Sequence, residues 1–359
     1  MKAGFIFILA LFALTLAYVI WHLWRIVPGA WPVKAAVVAA YILWMALAFS
    51  PFFLRGHLPG QAVSVLYGVG LPWLVAHVYL ALAFILADAA VLCKILPKAY
   101  ISSSCAGSLA VFGAVALLMV AGGFHYRHKY REEISLQTDK PLSRPLTVVA
   151  ASDLHLGYSI GRDEFAGWID RFIAESPDLV LLCGDVIDIQ LKPVLEGGYA
   201  EEFHRLKCPV IAVPGNHEYI AGIRDVHQFF DEAGITLLRD SVAHFDGLDI
   251  IGRDDRSNPG REALSKLTDS LGGFTILLDH QPFNLEEAEQ AGIDFQFSGH
   301  THRGQFWPLS IVTDIMYEKS WGHHRRGATR YYVSSGLGIW GPKVRIGSRS
   351  EYVVLHIGN

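Results

Sequence analysis

Near its C-terminal end the chain reads "GHTHRGQ" over residues 299–305, two histidines about a single threonine. Four earlier stretches carry similar chemistry. "SDLHLG" holds Asp153 and His155, "GDVID" holds Asp185 and Asp188, "GNHE" holds Asn216, His217 and Glu218, and "DHQP" holds Asp279 and His280. Carboxylate, amide oxygen and imidazole are the donors that divalent Mn, Fe or Zn accept, and no thiolate stands among them. In an extended chain residues i and i+2 share a face. Asp153 with His155, and His300 with His302, are therefore each expected to converge on one point. Gly184, Gly215 and Gly299 precede candidate ligands, where a glycine permits a sharp turn and lets a substrate approach.

Each stretch closes an apolar run. "LTVVAASD" (146–153), "DLVLLCGD" (178–185) and "PVIAVPGN" (209–216) read as buried strands. Further strands are expected at Leu248–Gly252, Phe274–Asp279, Phe295–Ser298, 331–336 and 351–357, with helices at Asp163–Ala174, Glu196–Leu206 and Ile223–Ala233. "IGRDDRSNPGRE" (251–262) reads as a loop leading into a helix. Strands alternating with helices imply an α/β domain, and ligands gather beyond the carboxyl ends of such strands.

The first half is different in kind. Gly4–Trp24, Ala35–Leu54, Leu58–Ala87 and Ala99–Phe124 contain no Lys, Arg, Asp or Glu, and about 20 such residues cross a bilayer. Four transmembrane helices are expected over residues 1–124, the third, which contains Pro72, kinked or tilted. The first run is too long for a signal-peptide core. Asp88 lies near the end of its span, within reach of Lys94 or the interface, while His77 lies in an apolar run that a haem shared with His22 could also explain. Residues 125–145 read as a basic juxtamembrane linker, and 146–359 as the soluble domain. The formal net charge of −4 gives no sign of a nucleic-acid partner, and four cysteines without C-x-x-C spacing suggest neither a zinc knuckle nor a disulfide framework. Lys2, Arg55, Arg127, Lys129 and Arg131 flank the spans on one side, against Arg25, Lys34, Lys94 and Lys98 on the other. That balance points the soluble domain of this multi-pass inner- or plasma-membrane protein to the cytoplasm.

Taken in order, the five stretches resemble the signature of the calcineurin-like metallophosphoesterase superfamily. "GHTHRGQ" and "SSGLGIWGPKVRIGSRSE" are similar to its bacterial membrane-associated branch. The resemblance implies an α/β metallophosphoesterase domain, a central β-sandwich flanked by helices, with two divalent metal ions. Carried over by residue, Asp153, His155, Asp185 and His302 hold one ion, and Asp185, Asn216, His280 and His300 the other. Asp185 would bridge them with one oxygen for each. His217 matches the catalytic histidine, Asp188 and Glu218 would orient it or a ligating imidazole, and Arg303 would touch phosphate. Asp279 is expected to be structural.

Two close cations lower the pKa of a water and clamp phosphoryl oxygens, so metal-activated hydroxide attack on a phosphoester or pyrophosphate is the expected chemistry. "GDVIDIQ" lacks the arginine of the phosphoprotein phosphatases. Four spans favour a lipid-linked substrate: a phospholipid, a lipid-A-type precursor or an isoprenoid phosphate. "YEKSWGHHRRG" (317–327) is expected to be a lid or a loop facing anionic lipid. Two rival readings stand beside the hydrolase, a non-catalytic membrane-tethered scaffold or sensor and a transmembrane transporter regulated by the phosphoesterase domain.

Overall fold

A computed structural model describes residues 2–54, 57–269 and 271–358. The chain forms two compact units, residues 1–124 with 341–344, and residues 125–340 with 345–359. Arg55, counted above among the flanking charges, lies outside the described residues.

The first unit is helical: α1 (Lys2–Ile26), α2 (Trp31–Leu54), α3 (Gly60–Gly70), α4 (Pro72–Leu92) and α5 (Cys105–Arg127). Four segments are long and apolar enough to cross a membrane, Leu9–Ile26, Trp31–Leu54, Gly60–Leu92 and Cys105–Arg127. The third bends where α3 meets α4, because Pro72 has no N–H to continue the ladder. Asp88 pairs within the helices and not with Lys94. It accepts a hydrogen bond from the Tyr18 hydroxyl (2.8 Å) and lies 3.0 Å from His22 Nε2. Tyr18 and His22 are four residues apart on α1 and so share a face. Both ring nitrogens of His77 are engaged, by Thr15 Oγ1 at 3.0 Å and the Tyr41 hydroxyl at 2.6 Å, which leaves none for a haem iron. These ties join polar side chains of α1, α2 and α4 inside the protein.

The second unit contains β1 (Lys129–Gln137), β2 (Leu146–Ala151), α6 (Arg162–Ala174), β3 (Leu179–Cys183), α7 (Lys192–Gly197), α8 (Tyr199–Phe203), β4 (Val210–Val213), α9 (Asn216–Ala221) and α10 (Ile223–Glu232). It continues through β5 (Ile235–Leu237), β6 (Ser241–Phe245), β7 (Leu248–Gly252), β8 (Phe274–Leu278), α11 (Leu285–Gln290), β9 (Phe295–Ser298), α12 (Leu309–Met316), β10 (Gly322–Arg326), β11 (Thr329–Val333) and β12 (Ser350–Gly358). The strands make two six-stranded sheets, ordered β1-β12-β2-β3-β4-β5 and β10-β11-β9-β8-β7-β6. Val148, Ala150, Leu181 and Val353 of one sheet pack with Ile250, Ile276 and Phe297 of the other. On the outer face of the first sheet, Val149, Ala151 and Leu182 meet Phe165, Trp168 and Phe229 of the covering helices. Ile251, Leu277 and Tyr331 meet Leu285 and Ala288 of α11 outside the second. Strands buried on both faces are apolar at every position, which is why β2, β3 and β4 read as unbroken runs.

Most of the expected linker is ordered. Lys129–Gln137 lies parallel to β12 as the edge of the first sheet, one residue after α5 ends. Ile134 and Leu136 point into the core between the sheets, and Glu133, Ser135 and Gln137 point out. The charges of "KYREE" conceal this alternation, because an edge strand carries its polar residues to solvent.

A chain shortened to begin at Leu146 should therefore be less stable than one beginning at His125. It loses the burial of Ile134 and Leu136, worth about 3–6 kcal/mol together, and bares the edge of β12. Thermal unfolding and light scattering of the two proteins check this; equal unfolding temperatures would show β1 to be dispensable.

Candidate metal centre

The candidate residues sit just past the strand ends. Asp153 and His155 follow β2, Asp185 and Asp188 follow β3, Asn216 and His217 open α9 after β4, His280 follows β8, and His300 and His302 follow β9. Five of them hold a left-handed backbone: Asp153 (φ 56°), His155 (49°), Asp185 (51°), His300 (69°) and His302 (47°). Each such residue costs on the order of 1–3 kcal/mol and persists only where its surroundings impose it. The i, i+2 argument thus fails, because none of these pairs is extended. Asp153 and His155 do converge, but His300 and His302 part company.

Among the described residues three groups could hold an ion: Asp153, His155 and His302 form the first triad, Asp185, His280 and His300 the second, and His155, Asp185 and His217 lie between them. In the first, His155 Nε2 lies 3.0 Å from His302 Nε2, and Asp153 Oδ1 lies 3.4 Å from His302 Nε2 and 3.9 Å from His155 Nε2. In the second, His280 Nε2 lies 3.2 Å from Asp185 Oδ2. Asp185 Oδ2 also lies 3.9 Å from His155 Nε2 and so faces both triads. Its other oxygen accepts the His217 N–H at 2.9 Å. Oδ2 is thus the Asp185 oxygen turned toward both triads, while Oδ1 is held by the His217 amide. Asn216 Oδ1 is buried with no hydrogen-bond donor among the described residues, so it too is available as a ligand.

The donor chemistry fits divalent cations. His280 Nδ1 lies 2.7 Å from the Cys183 carbonyl, to which it donates, so that Nε2 faces a carboxylate oxygen. Burial lowers the His280 pKa, but Asp185 raises it well above its ordinary value; a metal ion could take the place of the Nε2 proton, since ligand atoms roughly 2.0–2.2 Å from one ion fall about 3–3.5 Å apart. Burial and repulsion from His280 hold the His300 imidazole down at about 4. Burial and His155 likewise hold His302 well below its ordinary value. Both are neutral at pH 7, the form that binds metal. Burial pushes the Asp185 carboxyl up, but His280, His217 and His155 outweigh it and keep the group ionised.

Around the triads the supporting residues divide their work. Asp188 Oδ1 lies 3.1 Å from His217 Nδ1 and 3.6 Å from His155 Nδ1, so it orients both rings. Burial lowers the His217 pKa, yet the hydrogen bond to Asp188 and the charges of Asp185, Asp188 and Glu218 raise it to about 9. Glu218 orients no imidazole. Its carboxylate accepts the N–H groups of Asp185 (2.9 Å), Gly215 (2.7 Å) and Ile187 (2.9 Å), clamping the loop after β3 to the loop after β4. Asp279 pairs with Arg261. Arg303 stacks on Trp321, its Cζ 4.2 Å from the ring centroid. Gly184 has φ 78°, and a Cβ there would sit 2.5 Å from the His280 ring; one at Gly299 would lie 2.4 Å from Asp153 Oδ2. The space is needed by the ligands themselves.

Residues Tyr317–Gly327 are no free lid. His323 and Arg326 lie on β10, paired antiparallel with β11, and the guanidinium of Arg326 is matched by Glu289 and Glu318. Sequence reasoning also missed Arg345. Its fully buried guanidinium donates to the carbonyls of His302 (3.0 Å), Ser335 (2.7 Å) and Gly338 (2.8 Å). Burial pulls its pKa down to about 10. The short α12, which has no buried residue, was missed as well. Arg345 stands in "GPKVRIG" without an acidic neighbour there to mark a partner, while "LSIVTDIM" is largely apolar.

Comparison with known proteins decides the family. Residues 146–304 match the calcineurin-like phosphoesterases. That segment belongs to the calcineurin-like phosphoesterase family. A metallophosphoesterase of Helicobacter pylori is 30% identical over 238 residues, 63% of this chain and 63% of its own length. One of Aquifex aeolicus is 29% identical over 240 residues, 63% of this chain and 90% of that protein. A zebrafish (Danio rerio) transmembrane protein with a metallophosphoesterase domain is 32% identical over 231 residues, 57% of this chain and 52% of that protein. The chain thus matches less than two thirds of the length of the Helicobacter relative. The metallophosphoesterase domain, with its clustered His and Asp side chains, and the apolar helices describe a membrane protein of a metal-dependent class.

Arg345→Met would strand at least three buried carbonyls, each costing about 1–3 kcal/mol. The unfolding temperature should fall by roughly 5–10 °C. Arg345→Lys should rescue little, because one ammonium cannot span the fork that guanidinium makes. Calorimetry of both variants checks this, and an unchanged transition in Arg345→Met would refute it.

Proposed function

We propose that this chain is an integral-membrane, di-metal phosphohydrolase. The observation that carries the reading is the pair of triads facing one Asp185 oxygen. Asp153, His155, Asp185 and His302 would hold one cation, and Asp185, Asn216, His280 and His300 the other. Bound there, two divalent ions such as Mn, Fe or Zn supply the charge that acidifies a water and neutralises phosphoryl oxygens. The chain's own residues do the rest. Asp188 holds His217 by Nδ1, so Nε2 is the nitrogen left to face substrate. The raised His217 pKa keeps that nitrogen protonated, ready to stabilise or protonate a leaving oxygen; nearby cations would draw the value back toward neutral. Glu218 and Arg345 bind no substrate and fix the loops that carry the ligands.

The substrate we infer is a lipid-linked phosphate or pyrophosphate. Support comes from the four apolar segments and from α12, which starts seven residues after His302. Leu309, Ile311, Val312, Ile315 and Met316 are all exposed on it, Ile315 by 80%, with Trp307 just before. An apolar helix of this kind suits acyl chains or an interface better than water.

Chelator should abolish activity and Mn²⁺ restore it. Asp185→Asn should remove both turnover and bound metal, since both cation sites would use that one oxygen. His217→Ala should lower kcat by about 10²–10³-fold with metal content near normal. Elemental analysis beside steady-state kinetics separates the two; an active Asp185→Asn enzyme would sink the ligand assignment. Independently, the full chain should outperform residues 125–359 on a lipid phosphate and match it on a chromogenic phosphoester. Equal ratios on both substrates would leave the helices as a mere anchor.

A further inference from the structure

The loop after β7 leads into no α-helix; beyond it lies only the short turn at Leu264–Lys266. Between this loop and the start of α11 lies a cavity of about 560 Å³. Its wall carries Arg253, Arg256 and Arg261 together with Glu262, Asp279 and Glu287. The carboxylates are already matched: Asp279 by Arg261, Glu287 by Arg253 and the Asn284 amide, and Glu262 by Lys266. Two of the guanidinium groups are matched in part or not at all. Arg256 makes no ion pair among the described residues and lies with Cζ 4.9 Å from the Phe283 ring centroid. Arg261 keeps Nε and Nη1 buried with no acceptor among the described residues. Buried donors left unmatched are costly, and a guanidinium fork is shaped to take two oxygens of one phosphate or carboxylate.

The cavity adjoins the second triad. Asp279 is the residue before His280, and the Gln281 side chain donates to Asp255 at 2.8 Å. Phe283 meets Tyr317 with ring centroids 4.6 Å apart, and Tyr317 meets His300 at 6.3 Å. Two aromatic rings therefore separate Arg256 from a candidate ligand. We propose that this cavity is an oxyanion subsite, with Arg261 and Arg256 as donors, that takes a second phosphate of the substrate hydrolysed at the triads. The role, though not the binding, rests on the phosphohydrolase reading above.

The test uses the full-length chain in detergent. Metal is stripped by chelator so that no cation draws phosphate to the triads, and titration with inorganic phosphate is compared between the wild-type chain and the arginine variants. One phosphate should bind per chain, and Arg256→Gln and Arg261→Gln should each weaken it at least tenfold. Arg256 is exposed and unpaired, so its variant should fold even if loss of Arg261 unsettles Asp279. Absence of binding, or wild-type affinity in Arg256→Gln, overturns the subsite. Loaded with Mn²⁺ and turning over p-nitrophenyl phosphate, the wild-type chain should be inhibited at least tenfold more strongly by hexane-1,6-diol bisphosphate than by hexyl monophosphate, and Arg256→Gln should erase the difference. Equal inhibition in the wild-type chain would mean that the cavity takes free phosphate only, and overturns its role as a substrate subsite. Arginine-dependent phosphate binding without any turnover would sink the hydrolase reading and leave the subsite standing.

Discussion

Imidazole nitrogens and carboxylate oxygens crowded to within hydrogen-bonding distance govern this molecule's second unit. His155 Nε2 and His302 Nε2 are 3.0 Å apart, and His280 Nε2 points at an Asp185 oxygen from 3.2 Å. Left alone, such groups would rotate away or draw in protons. They are held by parts that touch no ligand atom. Glu218 gathers three backbone N–H groups from two loops, and Arg345 grips the carbonyl behind His302 together with the loop around Ser335. The His300 N–H sits 3.1 Å from each oxygen of Asp153, tying the last motif to the first. The strands supply rigidity, but convergence is achieved by this small set of buried polar anchors, each satisfied on the side away from the centre.

The same economy marks the helical unit. Asp88, His22, Tyr18, His77, Thr15 and Tyr41 find one another among apolar helices. Where water is absent, a polar side chain is either paired or expensive. In the helical unit pairing serves cohesion, and in the second unit it fixes an imidazole from behind, as the Cys183 carbonyl fixes His280, so that the other nitrogen faces the candidate centre.

Much of this was legible in the sequence, and the misses have physical causes. The doubly buried strands β2, β3 and β4 announce themselves as apolar runs, and the motifs mark their ends. The ligand types were readable because few other residues suit the chemistry. The route by which they converge was not, since local spacing cannot report a left-handed turn at Asp153 or His302. The edge strand β1 was hidden because one face is charged and only Ile134 and Leu136 betray the other. Arg345 was invisible because its partners are carbonyls, which every residue carries. Glu218 was assigned to an imidazole although its nearest donors were N–H groups, again a matter of backbone that side-chain spelling does not encode.

The left-handed conformation at five candidate ligands has a further consequence. Asp, Asn and His tolerate that region several-fold better than most side chains, so these positions ask twice for the same letters, once for a cation and once for the fold. Drift at them is restrained even where catalysis no longer matters. A descendant with no use for a bound ion would first lose Asn216, at the start of a regular helix, and His217 beside it, while Asp153, His155, Asp185, His300 and His302 lingered as fossils of backbone geometry. In this family, then, the fate of the "GNHE" pair tells a working enzyme from a retired one better than the more eye-catching "GHTH".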